Sequence, residues 1–366
     1  MTVLVTGGGG FIGRSIVRAI LDRGERVRVL CRGDYALLRE WGVDLQRGDI
    51  RDHDVVAAAV EGCDAVFHTA AHIDLWGPYE TFFAVNTLGT RHVIDACKKH
   101  RVPKLVYTST PSVVHSGDAV SGVDESAPYP SQFEAHYPAT KALAEQEVLA
   151  ANSEALSTVA IRPHLVWGPG DSSALPRLVA RAKAGRLRMV GRPQRIDTTY
   201  IDNAVAAHLS ACDRLAPGSP VGGKAYFITQ GEPLEGPTFI NDMLDAAGLP
   251  PVTRTIPVPV ARSAAALAEA VWNTFKLHSE PPVTRFLVSQ LSTAHWYDIS
   301  AARRDLGYDR PRLRPQGQLR RRHGAAQSVG PNPNLVAVRR ANARAAKRCR
   351  SFAKARERCF VVPQTR

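Results

Sequence analysis

The stretch TVLVTGGGGFIGRSIV, residues 2–17, decides the fold. A β-type apolar run leads straight into glycines at Gly7, Gly10 and Gly13, and a helical period begins at Phe11 and Ile12. Such glycines let the backbone turn tightly, approach a pyrophosphate closely and pack helix on strand, while the helix N-terminus favours an anion. The pattern G-x-G-x-x-G alone is a weak signal, and Gly7 to Gly10 satisfies two registers. Its specificity comes from the order strand, loop, helix.

Outward from that loop, apolar runs alternate with helical periodicity, the pattern of βαβ units. Strands are predicted at residues 2–7, 26–32, 65–71, 104–109, 157–163 and 224–229, and helices at 11–24, 54–62, 87–100, 138–153, 238–248, 260–276 and 300–307. The 260–276 helix is apolar and is expected to lie buried in its lobe; shielding alkyl chains or meeting a membrane surface or partner are its other readings. The fold class is α/β: a Rossmann-type doubly wound parallel sheet over 1–167, with returns from later segments, and a smaller C-terminal α/β substrate lobe over 168–309. Residues 310–366 form an Arg-rich tail, expected to be disordered.

The 366 residues are 44% hydrophobic and 22% charged, which excludes wholesale disorder and collagen-like classes. The stretch SAAALAEAVW carries Glu269 and falls short of a membrane span. The N-terminus shows no basic region before its apolar run, so no secretory signal and a cytoplasmic location are expected. Six scattered cysteines, Cys31, Cys63, Cys97, Cys212, Cys349 and Cys359, suit reduced thiols and no structural zinc. The formal charge of +13 belongs to the tail, which holds 16 of the 47 basic side chains and one of the 34 acids. Residues 1–309 are therefore near neutral, at −2, and no nucleic-acid partner is expected for them. Three origins compete for the tail: a cationic docking segment, a contact with a partner protein, and read-through in a shifted frame, which its Arg/Ala/Pro/Gly bias favours.

Cofactor choice is read at the end of the second strand, where an acid would serve the ribose hydroxyls of NAD. Cys31-Arg32 stands there, and a guanidinium suits the 2′-phosphate of NADP. NAD is the weaker alternative, with Asp34 as its acid. Further on, Tyr137 and Lys141 lie four residues apart at the start of a predicted helix, so they share a face. A nearby ammonium lowers a phenol's pKa and suits it to general acid catalysis. The hydroxyls of Thr108, Ser109 and Thr110 end a strand, and one of them is placed to hold a carbonyl oxygen.

Together these motifs resemble the extended short-chain dehydrogenase/reductase superfamily over residues 1 to about 308. The matching pieces are Thr6 to Gly13, Gly48-Asp49-Ile50 with Asp52, His68 with Ala70 and Ala71, Val85 to Thr90, the stretch 161–171, and TYIDN at 199–203. By that resemblance Thr110, Tyr137 and Lys141 are catalytic, Gly7, Gly10, Phe11, Ile12, Gly13, Arg32, Asp49, Ile50, Ala70 and Ala71 bind the cofactor, and Pro163 and Leu165 line the nicotinamide. The second half is similar to the 3β-hydroxysteroid dehydrogenase-like branch, and within it to NADPH-dependent reductases of 2-alkyl-3-oxoalkanoates in bacterial long-chain olefin synthesis. That likeness implies a lipid-like β-keto acid substrate, other enzymes of the olefin pathway as partners and a homodimer. His72, His164 and Arg162 are candidates for the substrate carboxylate by position near strand ends, and Trp76, Trp167 and Tyr200 for an acyl pocket; against these stand a purely bracing Arg162, structural histidines and plain core aromatics. Alternatives are a sterol or 3β-hydroxysteroid dehydrogenase and, from another class, an NADP-sensing binding protein, against which the intact Tyr137 and Lys141 argue. A nucleotide-sugar epimerase fits the apolar second lobe less well.

Overall fold

Val3, Leu4 and Val5 are consecutive and all buried, because both faces of their strand are covered by helices. The computed structural model describes residues 1–309 except positions 173 and 278, and the expectations for 310–366 lie outside the described residues. Seven strands form the main sheet: β1 (Thr2–Thr6), β2 (Arg26–Cys31), β3 (Asp44–Arg47), β4 (Ala65–His68), β5 (Lys104–Thr108), β6 (Ser157–Pro163) and β7 (Lys224–Ile228). Their order is β3-β2-β1-β4-β5-β6-β7, and every pairing is parallel. Thr6 pairs with both Leu30 and His68, so the strands on either side of β1 end level with it. The order reverses there, and a crevice opens at the carboxyl ends, where ligands of such sheets bind.

One face of the sheet, with Leu4, Leu30, Val66, Leu105 and Tyr107, packs on Val56, Val93 and Val148 from three helices, His53–Val60, Gly89–Lys99 and His136–Ala150. The other face is covered by Phe11–Asp22 and by Ile201–Arg214. A separate four-stranded sheet pairs His295–Tyr297 with Val120–Val123 on one side and Arg195–Ile196, then Leu234–Glu235, on the other.

The structure departs from the sequence reading at several points: the helices Ala174–Lys183, Ile201–Arg214 and Arg285–Ser292 and the four-stranded sheet were not expected, and three further differences bear on the site and the surface. Strand β3 is an extra edge strand whose DLQR sequence offers no apolar run. A π-helical turn, Phe83–Leu88, precedes the helix expected from residue 87. The helix expected to be buried at 260–276 is Val258–Thr274, and it buries only Ala261, Ala265 and Glu269. Leu267 is 67% exposed there, so this is a surface helix.

Gly13 is packed so tightly that an added Cβ would lie 2.4 Å from the carbonyl oxygen of Gly7. That neighbour is backbone and cannot swing aside. Gly13→Ala is therefore expected to destabilise the protein by about 1–3 kcal/mol, read as a lower thermal midpoint without added ligand.

Candidate active site

The glycine loop is shaped by close approach. Gly7 sits at φ +70°, and a Cβ on it would come within 2.8 Å of the Ala70 backbone. Gly10 caps the helix that starts at Phe11 without a side-chain hydrogen bond. The first-turn amides, including those of Phe11, Ile12 and Gly13, thus keep their donors for an anion. At the end of β2, Arg32 is exposed, and with Arg47, Gly48 and Asp49 it lines an open depression of about 380 Å³. Asp34 is ion-paired with Arg39, which weakens it as a ribose acceptor. Asp49 accepts from the Arg51 guanidinium at 2.8 Å and 3.0 Å, which holds its carboxyl below the usual range. Ile50 is buried against Gly89. A cradle that a Cβ would fill, an uncapped helix start and two guanidiniums at the β2 and β3 ends fit a dinucleotide with an extra phosphate. Arg47 was not anticipated, because β3 gave no strand signal.

Tyr137 and Lys141 occupy the first turns of His136–Ala150. Thr110 follows β5 and caps the 3₁₀ turn Pro111–Val114, accepting from the amide of Ser112 at 3.3 Å. Of the three strand-end hydroxyls, Thr108 is engaged by His208 at 2.8 Å, and the Ser109 oxygen is buried without a partner among the described residues. Thr110 is the one that meets Tyr137. Burial pushes the Tyr137 phenol up to about 12, and a hydrogen bond from Thr110 counters part of that rise. Burial also brings the Lys141 ammonium down to about 7, with Glu145 opposing. Lys141 Nζ donates to the Thr108 carbonyl at 2.6 Å and lies 3.9 Å from the centre of the Tyr107 ring. The expected lowering of the Tyr137 pKa by Lys141 is therefore corrected: desolvation dominates, and the relief comes from Thr110.

Two polar ties place this helix. Asn86, on the π turn, accepts from His72 N at 2.7 Å and donates to Thr140 at 3.1 Å, joining the Ala70-Ala71-His72 loop to the Tyr137 helix. Glu145, fully buried, accepts from Arg162 on β6 at 2.6 Å and 3.0 Å, and from the Tyr129 hydroxyl at 2.7 Å. His68 bridges Thr6 at 2.6 Å and Thr90 at 2.9 Å, and burial lowers it to about 3, so it is a neutral structural imidazole.

The substrate-side candidates separate. Arg162 is corrected: its guanidinium belongs to Glu145 and is only 2% exposed, so it is a brace and not a carboxylate ligand. His164 is buried beside His295 and Tyr297, and at about 3 it carries no charge for a carboxylate. Trp167 and Tyr200 bury their rings against each other at 5.0 Å, with Phe239 behind Trp167, so they form core and not an open pocket. His72 and Trp76 remain part-exposed; His72 lies 4.5 Å from the Phe82 ring centre and 3.8 Å from Asp74. After Pro163 the loop turns at Leu165, which has φ +41° and is 44% exposed. Thr199 holds that turn, its hydroxyl shared between the His164 and Ile228 carbonyls at 2.9 Å and 2.7 Å.

Removing one partner of a buried ion pair costs about 3–5 kcal/mol, whereas an apolar replacement of both is often near neutral. Glu145→Ala is expected to show that loss in denaturant unfolding, and Glu145→Leu combined with Arg162→Met to recover most of it. Burial also lowers His68 and His164 to about 3, His208 to about 4 and His295 to about 2, from an ordinary 6.5. Their contribution is fully present above pH 6.5 and is lost as the pH falls toward those values, at about 1.4 kcal/mol per pH unit for each group. Asp197 and Glu125, raised by burial, act in the opposite sense. Thermal midpoints should therefore fall between pH 6.5 and pH 5, the histidines outnumbering the carboxyls.

Comparison with known proteins agrees with this geometry. The profile of the 3-beta hydroxysteroid dehydrogenase/isomerase family matches residues 4–258. A 2-alkyl-3-oxoalkanoate reductase of Stenotrophomonas maltophilia is 49% identical over 311 residues, 84% of this chain and 94% of that one. A 3 beta-hydroxysteroid dehydrogenase/Delta 5-->4-isomerase of Mycobacterium tuberculosis is 37% identical over 317 residues, 84% of this chain and 85% of that one. Among solved structures, gox2253 superposes with a TM-score of 0.70 at 27% identity, covering 88% of this chain and 98% of its own. The chain is an oxidoreductase and belongs to the 3-beta hydroxysteroid dehydrogenase/isomerase family.

Proposed function

We propose that this chain reduces a 2-alkyl-3-oxoalkanoate to the 2-alkyl-3-hydroxyalkanoate with NADPH. The observation that carries the reading is the Thr110, Tyr137 and Lys141 cluster beside a glycine cradle flanked by Arg32 and Arg47, in a chain so similar to the Stenotrophomonas reductase. Bound NADPH supplies the hydride that the keto carbon receives. Tyr137, whose phenol stays protonated at neutral pH, donates the proton that the carbonyl oxygen needs, and Thr110 donates a hydrogen bond to the same oxygen. Lys141 holds the ribose end and lends positive charge near the developing alkoxide. Residues 1–167 carry the dinucleotide and 168–309 shape the substrate side, with Pro163 and Leu165 between them. A part-exposed His72 is the carboxylate candidate that survives the geometry.

The reading places the enzyme in the cytoplasm, where the buried free thiols of Cys31, Cys63, Cys97 and Cys212 stay reduced. No helix among the described residues is long and apolar enough to cross a membrane. A homodimer and contacts with enzymes that make and consume the β-keto and β-hydroxy acids complete the proposal. The second reading, a 3β-hydroxysteroid dehydrogenase, is favoured by the mycobacterial relative and shares every catalytic group.

Arg32→Ala is expected to raise the KM for NADPH about tenfold or more while leaving NADH nearly unchanged, since an Arg–phosphate contact is charge-assisted. Equal use of both cofactors by the unaltered protein would contradict the NADPH assignment. Tyr137→Phe should lower turnover about 10²–10⁴-fold with NADPH binding retained in a fluorescence titration. In steady-state assays, 2-alkyl-3-oxoalkanoates should turn over faster than any 3-ketosteroid; the reverse order would move the assignment to the steroid reading.

A further inference from the structure

Lys141 is only 2% exposed, and a buried ammonium needs partners for its charge. Among the described residues its Nζ makes no ion pair. Its Nζ donates a hydrogen bond to the Thr108 carbonyl. The groups around it come from three elements. His68 on β4 is neutral, Glu145 on the same helix is bound to Arg162, and β5 presents the Tyr107 ring, whose centre lies 3.9 Å from Nζ. Tyr137, at the start of the same helix, is a neutral phenol near neutral pH. Beside the Thr108 carbonyl and the more distant charge of Glu145, the π face of Tyr107 is the electron-rich surface that lies against this ammonium, and a desolvated cation over a ring is held by its quadrupole.

The Tyr107 hydroxyl has a different character. It is fully buried, and among the described residues no partner meets it with full hydrogen-bond geometry. The neighbouring Thr90 hydroxyl, which donates to the Asn86 carbonyl and meets His68 Nε2, offers the phenol only a weak contact short of hydrogen-bond geometry. An unpartnered buried hydroxyl is a cost, so the ring is the useful part of this side chain.

We propose that Tyr107 is a positioning residue for the reduction, its ring face keeping the Lys141 side chain charged and in place beside Tyr137. The inference rests on the reading of Lys141 as part of the reducing site. Losing the ring makes the charged form of Lys141 harder to keep, so Lys141 gives up its proton at lower pH and the alkaline fall in NADPH affinity moves down with it.

The test measures NADPH affinity by fluorescence titration, together with kcat/KM, against pH. Tyr107→Phe should keep the alkaline limb where it is and unfold no more readily than the unaltered protein. Replacing Tyr107 with phenylalanines of increasing fluorination preserves shape while weakening the quadrupole, and should move the limb down step by step. Tyr107→Met should move it by about one pH unit. Should Tyr107→Met fail to fold, the fluorinated series still decides. Lys141→Met should abolish the limb. A limb absent from Lys141→Met but unmoved by fluorination would overturn the role of Tyr107 and leave the reading of Lys141 standing. A limb that survives Lys141→Met would overturn both.

Discussion

The buried contact between Glu145 and Arg162 ties together the two elements that carry the chemistry. One partner sits on the helix of Tyr137 and Lys141, the other on the strand that runs into Pro163 and Leu165. The helix buries Thr140, Lys141 and Glu145 together with Ala142 and Ala144, so apolar burial alone leaves its rotation about its own axis weakly set. Directional contacts set it instead. With Glu145 fastened to β6 and Thr140 to Asn86, a rotation that moved Tyr137 away from Thr110 would break both ties. The Tyr129 hydroxyl fills a further acceptor position on Glu145, leaving the carboxylate well satisfied in a dry setting.

Desolvation then acts on the catalytic pair in opposite directions. It loads the proton onto Tyr137 and loosens the proton on Lys141, because both shifts disfavour charge. Near neutral pH the phenol is a stored acid, and the ammonium is close to its titration point. The imidazole of His68, which faces Lys141, is neutral for the same reason, so it adds no competing positive charge.

Much of this was legible in the sequence because it is local. The glycine loop, the strands with unbroken apolar runs and the four-residue spacing of Tyr137 and Lys141 all sit within short windows. For Arg162 the sequence left a carboxylate ligand and a brace both open, because its partner lies 17 residues away and nothing in the stretch at 161–171 announces Glu145. Strand β3 was missed because an edge strand need not be apolar: Asp44 and Arg47 bear the charges that discourage another chain from adding to the sheet. Arg47 was lost with it. The exposed helix Val258–Thr274 misled because composition does not reveal whether an apolar face finds a partner. The cage around Lys141 depends on register between helix and sheet, which no local pattern contains.

The Thr199 tie bears on how the enzyme is made. Strands β1 to β5 and the glycine loop lie within the first 110 residues and can collapse on one another as the chain emerges. The turn at Leu165 gains its brace only when Thr199 and then Ile228 arrive, the second on β7, which closes the sheet against β6. A nascent chain halted between those points would grasp a dinucleotide by its phosphates while its reducing end was still unformed. It would also present β6 as an open parallel edge, ready to pair with another unfinished chain. Between the synthesis of Pro163 and that of Lys224, β6 therefore stands without the neighbour that covers its edge in the finished sheet.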